Sequence, residues 1–197
     1  MDTSMSIDLF HEFVENGNTE WLVREMEGTL AILRTTDFGK DTGIREAGLK
    51  AILIAILRIY SKPHFQEWKM ISEHQIKNGS FGNMYCDLLL YNEKQRRAIV
   101  IELKYVPFQY LTYTDLTGPT QRQKIDSLAN EMWSEKNVGE RTKTNERRPT
   151  RMQDILRDAC GQARTYAKGL QNEFGDVPAY GVVGAGNRVL IDKWGSN

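Results

Sequence analysis

Residues 83–106, NMYCDLLLYNEKQRRAIVIELKYV, leave this chain little conformational choice. Two apolar, β-prone runs, 84–91 and 98–106, flank the polar segment 92–97, which is the pattern of a β-hairpin. Successive side chains of a strand point to opposite faces, so Glu102 and Lys104 share one face while Leu103 turns to the other. A turn centred between Lys94 and Gln95, the middle of the polar segment, sets Asp87 directly across from Glu102. Side chains paired in that way are close enough to share a ligand. Two carboxylates and a lysine on mostly buried strands are costly unless they bind something. A divalent cation is the candidate these charges favour.

Composition narrows the setting. A length of 197 residues suits one domain plus an appendage and is enough to bury a real core. The chain has no low-complexity tract, and its 26% of charged residues fits a soluble globular protein. Cys86 and Cys160 sit in apolar strand and helix patterns, which reads as reduced core cysteines of an intracellular protein, cytoplasmic or nuclear. His11, His64 and His74 are scattered, and no zinc-ligand spacing exists. The most apolar run, 47–60, is too short to span a bilayer and contains Lys50 and Arg58, so it reads as a core helix with no membrane partner. Formal net charge is zero, so composition by itself offers no support for nucleic-acid binding. Its distribution says a little more. Residues 1–40 hold three basic and eight acidic residues, a net −5, which leaves +5 on residues 41–197. That asymmetry permits a phosphate-binding face on the later part without requiring one.

In chain order, residues 6–14 and 19–34 read as two short helices, with Leu22, Met26, Leu30 and Leu33 at helical spacing. Residues 37–43 form a turn and helix cap. A helix follows over 44–61 and stops before Pro63; Leu49, Ile52, Leu53, Ile56, Leu57 and Tyr60 form its apolar stripe. Glu46 falls on that stripe, so it either reaches solvent at the helix end or is aimed at a polar site. Residues 67–76 read as a first strand and 77–82 as a turn-rich loop. The connection 105–150 shows little apolar periodicity, apart from one helix expected over 125–135. Its tail, RTKTNERRPTR, carries five basic residues against one acidic, and Arg147, Arg148 and Arg151 are candidate phosphate contacts. A solvated loop accounts for the same run. Residues 152–174 form a second long helix. Its packed face would include Ile155, Ala159, Ala163, Tyr166, Ala167, Leu170 and Phe174, with Gln162 one turn before Tyr166. A glutamine on a packing stripe needs a partner, because an unpaired buried amide costs about 1–3 kcal/mol. Strands at 179–183 and 188–193, joined by a glycine-rich turn, close the chain.

Asp87, a fourteen-residue gap and then Glu102-Leu103-Lys104 at the end of an apolar strand resembles the PD-(D/E)XK nuclease superfamily, with its restriction-endonuclease-like fold. The segment SEHQIKNGSFGNMYCDLLLY, 72–91, is similar to one branch, the nuclease-like domain associated with AAA-ATPase-like proteins. The chain departs in having Cys86, not proline, before the aspartate. The resemblance covers roughly residues 41–197, and Gln162-Ala-Arg-Thr-Tyr166 is similar to the superfamily's Gln-x3-Tyr helix motif.

The resemblance implies an α/β fold with an αβββαβ core, a mixed central sheet flanked by helices; to this the chain adds a long insertion at 105–150 and an N-terminal helical appendage over 1–40. It implies that Asp87, Glu102 and the Leu103 carbonyl bind Mg²⁺ or Mn²⁺, with Glu46 joining directly or through water. Lys104 would position the attacking water, while Gln162 and Tyr166 brace the site or touch phosphate. Glu73, which heads the family-like run, is a secondary candidate. The expected activity is hydrolysis of phosphodiester bonds in nucleic acid, DNA ahead of RNA. A homodimer would suit double-strand cleavage, and an AAA-ATPase-like partner or fused region would suit the branch. The alternative is a catalytically silent nucleic-acid-binding or regulatory module of such an ATPase system.

Overall fold

Alternation along residues 98–103 decides how the layers stack. Ile99, Ile101 and Leu103 pack into one hydrophobic cluster, and Ala98 and Val100 into another, so this strand is covered on both faces. The structure is a computed structural model, and it describes residues 3–35, 45–62, 67–78, 82–106, 137–141, 147–186 and 188–195. The elements are α1 (Thr3–Asn16), α2 (Glu20–Thr35), α3 (Glu46–Tyr60), β1 (Lys69–Asn78), β2 (Gly82–Asn92) and β3 (Arg97–Tyr105), followed by β4 (Asn137–Arg141), β5 (Arg147–Arg151), α4 (Met152–Phe174), β6 (Ala179–Ala185) and β7 (Arg188–Lys193). The turn expected at 37–43 and the helix expected at 125–135 lie outside the described residues.

The central sheet has five strands in the order β1-β2-β3-β6-β7. Neighbours are antiparallel except β3 and β6, which are parallel. A parallel pair needs a long crossover, and α4 lies within that connection. The fold is therefore mixed α/β, a mixed sheet flanked by helices. On one face Leu49, Leu53 and Leu57 of α3 join Phe10, Phe13, Trp21, Leu22, Met26 and Leu30 of α1 and α2 in a single cluster. The two helices read from the sequence as an appendage thus pack within the core of this face. Burying each such side chain stabilises the fold by about 1.5–3 kcal/mol relative to leaving it exposed. The opposite face is covered by α4 through Ala163, Ala167, Leu170 and Phe174. At Gly181 on β6, an added Cβ would meet the Cys160 backbone nitrogen at 2.7 Å, so the missing side chain is what lets α4 lie this close.

The hairpin turn comprises residues 93–96. Buried Asn92 accepts the Gln95 peptide N–H through Oδ1 at 3.0 Å, a local bond that presets the turn. Arg96 stands in the left-handed region at φ 52°, and its guanidinium donates to the Glu173 carbonyl at 2.9 and 3.0 Å in the last turn of α4. Arg97 donates to the Val14 carbonyl at 2.8 Å and pairs with Glu15 at the end of α1. The hairpin tip is thereby tied to both helical layers. These cations also oppose the negative ends of the two helix dipoles.

Strand β1 starts and ends two residues later than the sequence suggests, and Lys77 and Asn78 pair with Asn83 and Gly82 instead of lying in a loop. Part of the connection expected to be irregular is a two-stranded antiparallel ribbon, β4–β5. Among the described residues, no helix is long and apolar enough to cross a membrane.

Candidate functional site

The hairpin register is the expected one, with Leu88 opposite Ile101, but the ladder ends at that rung and Asp87 and Glu102 do not form the next. Strand β1 breaks at the same level. Its pairing with β2 steps from Ser72–Leu88 to His74–Cys86 and omits Glu73 and Asp87. Glu73 stands at φ 55°, a left-handed conformation that costs a non-glycine residue roughly 1–3 kcal/mol. Both strands change phase there. Leu88 and Leu90 pack toward α1–α3, whereas Cys86 packs with Leu89 toward α4. Met70 and Ile76 of β1, an even number of residues apart, likewise reach opposite clusters. Asp87 consequently sits at a fork between β2 and β3, and its Oδ2 accepts the Leu103 peptide N–H at 2.8 Å.

Charged groups gather around this fork. Glu102 is buried at 4% exposure; one of its carboxylate oxygens accepts from Lys104 Nζ at 2.8 Å, and the other, Oε2, has no hydrogen-bond partner. Burial, opposed by the Lys104 hydrogen bond and reinforced by the charge of Asp87, pushes the Glu102 carboxyl up to about 7. Burial works against the Lys104 ammonium, but the Glu102 hydrogen bond and the charges of Glu102, Glu46 and Asp87 outweigh it and hold Lys104 above its ordinary value. From the α3 side Lys50 reaches Asp87 Oδ1 at 2.8 Å and also pairs with Glu73. Burial disfavours its charge too, and the two carboxylates more than compensate.

The sequence candidates divide into those the fold brings together and those it does not. Asp87, Glu102 and Lys104 converge, and Leu103, between the last two, is fully buried with its side chain among the α1–α3 residues. Tyr166 is half-buried, packs against the α4 cluster, and is raised by burial and then by the charge of Glu102. Glu46 is exposed at the first turn of α3 and acts on Lys104 through its charge. Glu73 belongs to the cluster through Lys50. Gln162 is exposed, which corrects the expectation that it lies on the packed face. The buried stripe of α4 runs through Leu156, Cys160 and Ala163, so the amide falls on its flank and needs no protein partner. Cys86, next to Asp87, is a buried thiol pushed up to about 12 by burial and by Glu102, which makes it a packing residue and not a nucleophile.

Sequence reading missed Lys50. It had registered only as a charge interrupting an apolar run, although its position one turn after Glu46 set both on one helix face. Arg147, Arg148 and Arg151 lie on the ribbon strand β5. There the register sets Arg147 opposite Arg141, Arg148 opposite Glu140, and Arg151 opposite Asn137.

Among the described residues, no three His, Cys, Asp or Glu side chains gather closely enough to hold a metal by themselves. No model of a known protein family, no curated protein and no solved structure matches this chain.

Proposed function

We propose that the protein is a divalent-metal-dependent phosphodiesterase that hydrolyses nucleic acid, DNA ahead of RNA. The observation that carries this reading is Glu102, a carboxylate at 4% exposure with one unpartnered oxygen, lying beside Asp87 at the strand fork. A buried polar atom left without a partner is costly, and ionisable groups perturbed by burial and neighbouring charge concentrate at functional sites. The donor set fits a hard cation. Two side-chain carboxylates and the Leu103 carbonyl would hold Mg²⁺ or Mn²⁺, ions that accept few protein oxygens and keep waters and phosphate as further ligands. The charge balance agrees: with Glu102 ionised, as a bound cation would favour, Glu46, Glu73, Asp87 and Glu102 carry two more charges than Lys50 and Lys104 neutralise. When bound, the ion lowers the pKa of a water and offsets charge on the scissile phosphate.

The chain's own residues supply the rest. Lys104, kept protonated by its carboxylate neighbours, orients the attacking water and stabilises negative charge developing on the phosphate. Tyr166, on the α4 side of the same charges, offers a protonated hydroxyl to a phosphate oxygen. With the β4–β5 ribbon set aside as an insertion, the order helix, three strands, helix, two strands from α3 onward supports the restriction-endonuclease-like reading.

One observation favours a second reading. Both oxygens of Asp87 are already engaged, by Lys50 and by the Leu103 N–H. A module that keeps the fold, binds nucleic acid and cuts nothing would have no need to free them. A panel of single- and double-stranded DNA and RNA, incubated with Mg²⁺ or Mn²⁺, separates the two. The enzyme reading predicts cleavage that EDTA abolishes and Lys104→Ala reduces by roughly 10²–10³-fold. Binding without cleavage across the panel supports the silent module, and cleavage unaffected by Lys104→Ala contradicts the assigned site.

A further inference from the structure

We infer that Lys50 is the built-in counter-cation of this site and sets how much divalent metal it requires, with Glu73 as the place to which the ammonium withdraws. The inference rests on the metal-site reading above and adds to it a residue the sequence motif does not contain.

Four observations support it. Lys50 Nζ lies 2.8 Å from Asp87 Oδ1, the oxygen left over once the Leu103 N–H has taken the other. The same ammonium pairs with Glu73, so it has two carboxylates within reach without a change of backbone. Glu73 is itself left-handed and omitted from the β1–β2 ladder, and its side chain is 61% exposed where Asp87's is 12%. Lys50 itself rises from α3, whose Leu49 and Leu53 are fully buried, so its stem starts from a fixed point.

A divalent ion and an ammonium cannot both approach the same carboxylate oxygen closely without strong repulsion. Metal entering at Asp87 therefore expels Lys50. Glu73 keeps the expelled charge paired in a more solvated position, which makes the displacement short and affordable. The two partners of Lys50 thus have opposite effects on metal affinity. Removing the lysine removes the competitor, whereas removing Glu73 leaves the lysine leaning wholly on Asp87. A lysine that served only to brace α3 against the sheet, or to bind phosphate, would give no such opposition.

The test is Mn²⁺ binding to the full chain without nucleic acid, followed by calorimetric titration, with thermal unfolding recorded in EDTA to confirm that each variant is folded. Lys50→Met is expected to bind Mn²⁺ roughly tenfold more tightly than wild type, the scale of one unit charge competing at a partly solvated site. Glu73→Gln is expected to bind several-fold more weakly. Lys50→Gln supplies the same comparison should Lys50→Met fail to fold. Equal or weaker Mn²⁺ binding by the folded lysine variants overturns the inference while leaving the metal site standing, as does unchanged binding by Glu73→Gln. Absence of Mn²⁺ binding by wild type and every variant overturns the site and the inference together.

Discussion

Glu102 is a carboxyl held where its charge is least welcome. Its ordinary value is 4.5, and in the folded chain burial pushes it to about 7. Between those two values the unfolded chain has lost its proton and the folded chain retains it. Stability at this site is therefore fully present below about 4.5 and is lost as pH rises through 7, by on the order of 3 kcal/mol. Denaturant unfolding in EDTA across that window is expected to show the decline in wild type and a flatter profile in Glu102→Gln, which does not titrate; identical profiles would remove the burial argument. At this scale the sequence was legible where one strand's own geometry decided the outcome. Glu102, Leu103 and Lys104 take the expected alternate faces because β3 is regular. Gln162 was misplaced because a helical stripe is wide, and only packing against Gly181 and its neighbours fixes which flank of α4 is buried. Lys50 was invisible because its role depends on Glu73 and Asp87, which belong to other elements.

Among elements, the hairpin register followed from the middle of the polar segment, and the structure keeps it with a turn bond accepted by Asn92. The fork did not follow. It depends on Glu73 adopting a left-handed conformation for which glycine is the usual choice, so local propensity gave no warning. Nor could the run at 141–151 announce a ribbon, since both strands are polar and the alternation carries no hydrophobic signal. Under the proposed function, with the basic run as a phosphate contact, Arg147→Gln and Arg148→Gln should each weaken DNA binding and lower the slope of log K against log salt by about one unit. Fluorescence anisotropy over a salt series in EDTA reads both, and slopes unchanged from wild type would remove the basic run from the interface.

At the scale of the molecule, hydrophobic clusters among the described residues cover both faces of a five-stranded sheet, and the polar cluster lies where the β1–β2 ladder is interrupted and the β2–β3 ladder ends. This cover explains how a fork lined by carboxylates persists. Leu88, Leu90, Ile101 and Leu103 remain buried against α1–α3 on one side, and Leu89 and Val100 are held by α4 on the other. The N-terminal helices contribute to the first layer through Phe10, Leu22 and Met26, so experiments on the site belong with the full chain. Sequence reading assigned them to an appendage because their apolar stripe is visible locally, while the sheet it packs on lies far along the chain. The central claim is that Asp87 and Glu102 share one divalent ion, and thermal unfolding with and without Mg²⁺ tests it most directly. At a hundredfold excess over its dissociation constant, a single bound ion is expected to stabilise the wild-type chain by about 2.7 kcal/mol, and to leave Asp87→Ala and Glu102→Gln unshifted. An equal shift in all three proteins, or none in wild type, would contradict it.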